Sequence, residues 1–137
     1  MTQKQITELT YKILGACIEV HKILGAGLLE SVYHKALSEE FRIQNINFKS
    51  EFVISVQYKG IDLDCGFKCD FLIEDLIIVE IKSVSEFHDL HKAQILNYMN
   101  LLKVPKGILV IFNVTNIFKE GQKTFVNKYY EQLNYNK

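Results

Sequence analysis

The stretch "CDFLIEDLIIVEIKS", residues 69–83, constrains the fold of this chain more than any other part of it. Two apolar runs flank the loop "EDL", and each alternates as the side chains of a strand do. In the first, Cys65, Phe67, Cys69, Phe71 and Ile73 point one way, and Gly66, Lys68, Asp70 and Leu72 point the other. In the second, Ile77, Val79 and Ile81 oppose Ile78, Glu80 and Lys82. The apolar sets coincide only if Ile73 pairs with Ile77 across a three-residue connection. That register sets Asp70 opposite Glu80 on one face, with Cβ atoms ~4.5–5.5 Å apart, and Lys82 projects from the same face two residues on. A two-residue loop would put the two acids on opposite faces.

Two like charges at that separation weaken a sheet unless something neutralises them. A divalent cation does so, and Asp and Glu oxygens are hard ligands suited to Mg²⁺ or Mn²⁺. Lys82 would then hold a water or balance the charge of a phosphate. An ordinary cross-strand cluster of Asp, Glu and Lys at a solvated sheet end carries the same pattern, so the spacing alone leaves both readings open.

The hairpin needs elements to cover it. Residues 4–24 carry Ile6, Leu9, Ile13, Cys17, Val20 and Leu24 at helical spacing, and "GAG" at Gly25 to Gly27 breaks the pattern. A second helix is expected from about Leu28 to Asn45, with Leu29, Val32, Ala36, Leu37 and Phe41 inward and Glu30 in its first turn. The period then changes to two: Phe52, Ile54, Val56 and Tyr58 alternate with Glu51, Val53, Ser55 and Gln57 up to the turn signal "KG". A third helix spans roughly His88 to Leu102, with Ile95, Leu96, Met99 and Leu102 toward the core and His91, Gln94 and Tyr98 sharing another face. "KGILVIFNV", 106–114, reads as a buried strand, and "KTFVNKYY", 123–130, as a short strand or a helix.

The 137 residues fit one domain, and no apolar run reaches the ~18–20 residues of a membrane span. With no apolar leader in "MTQKQITELTYK", a cytoplasmic chain is expected. Cys17, Cys65 and Cys69 are odd in number and lack zinc-ligand spacing, so they read as free thiols in a reducing compartment, with Cys65 and Cys69 as small core residues. His88 and His91 lack the further ligands that a zinc site would need. Net charge is zero, which argues against non-specific coating of nucleic acid, but its distribution is uneven. Residues 70–90 hold one Lys against six acids, and residues 91–137 hold seven Lys against two acids, as a cation site beside an anion-binding surface would.

The expected order, helix-helix-three antiparallel strands-helix-strand, resembles the α/β, restriction-endonuclease-like core of the PD-(D/E)XK nuclease superfamily, with helices flanking a mixed sheet. Within it, the chain looks like the small bacterial group named for its GxxExxY motif, which stands here as Gly27, Glu30 and Tyr33 in "GLLESVY". "KCD" ending at Asp70, "EIK" from Glu80 to Lys82, "HKAQILNY" from His91 to Tyr98 and "FNVTNIFKEGQKTFVN" complete the likeness over nearly the whole chain. The resemblance implies a single nuclease-like domain over 1–137. It implies Mg²⁺ or Mn²⁺ held by Glu30, Asp70, Glu80 and the Ile81 carbonyl, with Asp70, Glu80 and Lys82 as the catalytic set. Gln94 and Tyr98 match a Q-x3-Y helix motif that contacts substrate, and Tyr33, Lys68 and His91 are expected beside them.

Two positions depart from the pattern. Lys68 stands where Arg is usual, which keeps the charge and loses the bidentate fork. Ile111 precedes Phe112 where Asn would be expected. The activity implied is metal-dependent hydrolysis of phosphodiester bonds, on DNA rather than RNA. A non-cleaving module that binds nucleic acid or protein on the same fold is the rival, and pairing with a second copy would give a compact domain a second contact surface.

Overall fold

A computed structural model describes residues 1–134. The chain begins with two helices, α1 (Gln3–Leu24) and α2 (Glu30–Ile43). Three strands follow, β1 (Phe48–Tyr58), β2 (Ile61–Ile73) and β3 (Ile77–Lys82), then α3 (Asp89–Leu102) and β4 (Lys106–Ile111). The short α4 (Ile117–Glu120), β5 (Gln122–Val126) and α5 (Lys128–Glu131) close it, so the stretch read as strand or helix is both in succession. No described helix is long and apolar enough to cross a membrane.

The sheet runs in the order β1-β2-β3-β4-β5, antiparallel except for the parallel pair β3/β4, which α3 joins as a crossover. β3 is buried apart from half-buried Lys82 at its end, and β4 is buried throughout, as strands covered on both faces are. Ile77, Val79, Ile81, Ile108 and Val110 face α1 and α2, while Ile78 and Leu109 face Ile95 and Met99 of α3. Gly107 lets α3 come close: a Cβ there would stand 2.7 Å from the Met99 sulfur and 3.0 Å from Ile95.

The β2/β3 register is the expected one, Ile73↔Ile77, Leu72↔Ile78 and Phe71↔Val79. Glu74 and Asp75 both adopt positive φ (54° and 57°), and Leu76 N donates to Ile73 O at 2.9 Å, the geometry of a tight mirror-image turn.

Three expectations need correction. The second helix starts at Glu30, because Gly25 and Gly27 hold positive φ and keep the chain out of helical geometry. Leu29 and Val32 are exposed, and the inward stripe is Tyr33, Leu37 and Phe41. Cys65 is exposed beside a bulge in the β1/β2 pairing that includes Gly66 at φ 67°. The strict alternation assumed for β2 fails at Asp70: Phe71 and Ile73 belong to the cluster under α1 and α2, but Cys69 belongs to the cluster under α3. The same exchange occurs on β1, where Phe48 packs with the first cluster and Phe52 and Ile54 with the second. Between the pairs Ser50↔Phe71 and Phe52↔Cys69 stand Glu51 and Asp70, and Glu51 holds a left-handed φ of 50°. Such a residue inside a strand turns its faces over, at a cost of about 1 kcal/mol or more.

Candidate active site

The site forms where the β2/β3 ladder opens. Backbone pairing stops at Phe71↔Val79, and beyond it each strand's amide is taken by a carboxylate of the other. Glu80 Oε2 accepts from Asp70 N at 2.6 Å, and Asp70 Oδ2 accepts from Ile81 N at 2.8 Å. The strands splay into a fork with both acids inside it. A strand residue's N–H and C=O point to the same edge, so the Ile81 carbonyl also faces the fork. Asp70 and Glu80 keep the expected register but do not stand side by side on one face. Asp70 lines a groove on the α2 side, whereas Glu80 lies nearer α3, where Tyr98 feels its charge.

Both acids are held above the ordinary carboxylate range. For Glu80, only 4% exposed, burial and then the neighbouring Asp70 push the carboxyl up to about 8, against the pull of the Asp70 amide and Lys82. Asp70 is raised by burial, opposed by the Ile81 amide, Lys82 and His34. Among the described residues Lys82 forms no ion pair, although it lies close enough to lower both acids.

Glu30 reaches the site from the first turn of α2, where Ser83 N donates to its Oε1 at 3.4 Å and Ser83 Oγ donates to Leu28 O. Tyr33 makes this possible. Its fully buried ring stacks on Phe112 at 4.3 Å, and its hydroxyl donates to Gly25 O at 2.6 Å while accepting from Leu28 N at 3.2 Å. Tyr33 thus braces the loop that delivers Glu30 and has no exposed surface for a substrate, contrary to the expectation from its motif.

On the α3 side, Tyr98 is buried, with Gln94 beside its hydroxyl. Burial, and then nearby Lys82 and His88, lower the pKa of His91, and its buried Nδ1 has no hydrogen-bond partner among the described residues. Lys68 is exposed on the β1/β2 hairpin, paired with exposed Val53.

Residues unnoticed in the sequence line a groove of about 620 Å³ with Glu30, Asp70 and Ile81. His34 lies one helical turn beyond Glu30, its Nε2 is 2.9 Å from Ser50 Oγ, and its ring meets Phe71 edge-on at 4.4 Å. The i, i+4 spacing from Glu30 was the available signal.

A buried pair of acids with raised pKa values beside an unpaired ammonium fits a divalent cation, which would relieve their repulsion. Asp70, Glu80, Glu30 and the Ile81 carbonyl are the oxygen donors that such an ion would find here. Among the described residues no three His, Cys, Asp or Glu side chains are already gathered closely enough to hold an ion, and Asp70 and Glu80 each engage an amide with one of their two oxygens.

A family model of the PD-(D/E)XK nuclease superfamily matches residues 7–125. No curated protein and no solved structure matches the chain significantly.

Proposed function

This chain belongs to the PD-(D/E)XK nuclease superfamily, and from that premise we propose that it is a Mg²⁺- or Mn²⁺-dependent phosphodiesterase acting on DNA. Membership in the GxxExxY group is part of the proposal, supported by Gly27, Glu30 and Tyr33 in order. The observation that carries it is the fork between β2 and β3, in which Asp70 and Glu80 replace the ladder bonds beside Lys82.

A bound divalent cation supplies a hydroxide at neutral pH and a Lewis acid for a phosphoryl oxygen. Asp70 and Glu80 would hold it in their ionised forms, and Glu30 would add an oxygen from α2. Lys82, with no carboxylate bound to it, orients the attacking water or meets the charge that develops on the phosphate. Gln94 and Tyr98 fix the substrate from α3, and Tyr33 acts through the loop that positions Glu30.

Incubating labelled single-stranded, duplex and branched DNA with the protein in Mg²⁺ or Mn²⁺ tests this reading. Cleavage by the wild type, lost in Asp70→Asn and in Lys82→Ala, is expected. Cleavage at the wild-type rate by either variant would remove the assignment. One observation favours a non-cleaving module: every acid already satisfies a backbone amide, a role in folding that needs no metal.

A further inference from the structure

The strand registers place a second charged position in line with Glu80. Glu80 pairs with Leu109, and Leu109 pairs with Lys123 of β5, so Glu80, Leu109 and Lys123 form one row across the sheet. Lys123 shares its face with Phe125, which packs on the cluster under α3, so its side chain emerges on the α3 side. There its Nζ lies 5.1 Å from the centroid of the Phe87 ring.

Lys92, from the first turn of α3, meets it. Lys92 comes close enough for its ammonium to repel that of Lys123 and lower the Lys123 pKa. The acid at hand is Asp89, fully exposed and 3.5 Å from Lys92 Nζ. One carboxylate facing two ammonium groups leaves a surplus positive charge at a defined place, beside a half-buried aromatic ring. Phe87 leads into α3 close to His91, which feels Lys82. From Glu80 to Lys123 is two strand spacings, roughly 10 Å. That is about the axial span of three nucleotides at ~3.4 Å each.

We infer that Lys92 and Lys123, over Phe87, form a subsite for a backbone phosphate of nucleic acid lying a few nucleotides from the scissile bond. The inference rests on the proposed nuclease reading and deepens it: the substrate leaves the fork across α3 toward β5. The excess of lysine after residue 90 then has a local purpose.

Fluorescence anisotropy with a labelled 20-nucleotide single-stranded DNA in Ca²⁺, over a range of salt concentrations, tests the subsite without relying on turnover. The Lys92→Ala/Lys123→Ala protein should bind several-fold more weakly. Its slope of log Kd against log salt should fall by about 0.7–1.4, the value for one or two phosphates on a single strand. The Lys92→Arg/Lys123→Arg protein should keep the wild-type slope, which separates lost charge from damaged folding. An unchanged slope in the alanine variant overturns the subsite, and so does a wild type that binds no DNA. A wild type that binds with the expected slopes but leaves the strand uncut in Mn²⁺ supports the subsite and refutes the phosphodiesterase reading alone.

Discussion

Replacing Glu80 with Gln should stabilise the metal-free protein at alkaline pH. The Glu80 carboxyl is held at about 8, against 4.5 for the free group, by burial and by Asp70. A folded state that binds the proton more tightly than the unfolded state loses stability as pH rises between those two values. Its contribution is intact below pH 4.5 and gone above about 8. At ~1.4 kcal/mol per pH unit, ionising this one group costs the fold about 5 kcal/mol. That is comparable to the whole net stability of a small domain, ~5–15 kcal/mol.

Gln has the same shape, keeps an oxygen for the Asp70 amide and carries no charge. Urea unfolding in EDTA at pH 4.5, 7 and 9 would compare the two proteins. The profiles should meet at the acid end and diverge as pH rises, with the Gln midpoint higher at pH 9 by ~2 M or more, given ~1–3 kcal/mol per M of urea. Excess Mn²⁺ should close about half of the gap at pH 9, since binding at a hundred times Kd adds ~3 kcal/mol to the wild type and little to the variant. Parallel wild-type and Gln profiles from pH 4.5 to 9 in EDTA would refute the reasoning.

The proposed cation must displace the Glu80 proton, so apparent Mn²⁺ affinity should rise about tenfold per pH unit from pH 6 and level off near 8; titration calorimetry in buffers of different ionisation enthalpy would count the proton released. Lys82→Met should lower cleavage at least 100-fold while leaving Mn²⁺ affinity within a few-fold, measured by single-turnover kinetics and calorimetry. Tyr33→Phe removes the bridge between Gly25 O and Leu28 N and should cost about 1–2 kcal/mol in a denaturant melt, with a loss of activity that follows Glu30. Gly107→Ala would drive a methyl into the buried Met99 sulfur at 2.7 Å and should cost about 1–3 kcal/mol; unchanged thermal stability would mean that α3 can shift outward freely.

The acids and their register were legible because two apolar patterns fix one phase, and the loop length admits one pairing. The exchange of faces at Asp70 was not. Cys69 and Phe71 read as neighbours on one face, and nothing in "SEF" at residues 50–52 announces that Glu51 adopts a left-handed conformation. Local rules failed at the position where the fork needs the strand to turn, as they tend to do at functional sites. Leu29 and Val32 misled for simpler reasons: the glycines keep Leu29 out of the helix, and Val32 lies within it on the face away from Tyr33, Leu37 and Phe41. The groove wall of His34 and Ser50 depends on how α2 docks on β1, a tertiary fact that periodicity does not carry, although Glu30 and His34 were visibly one turn apart. Tyr33 was legible as a motif residue but not in its role, since only packing against Phe112 shows which way its ring goes.

The turnover of faces at Glu51 and Asp70 divides the first hairpin into two stretches whose side-chain phases are set independently. Toward the body, Phe48, Phe71 and Ile73 are locked by α1 and α2; toward the tip, Phe52, Ile54 and Cys69 take their phase from α3. Beyond Ile54 and Phe67 the arm is largely exposed and already tolerates a bulge. Insertions or deletions there would be absorbed before reaching the carboxylates. The tip can therefore change length and chemistry over evolutionary time while the fork stays fixed, which makes it the part of this molecule freest to acquire a new target.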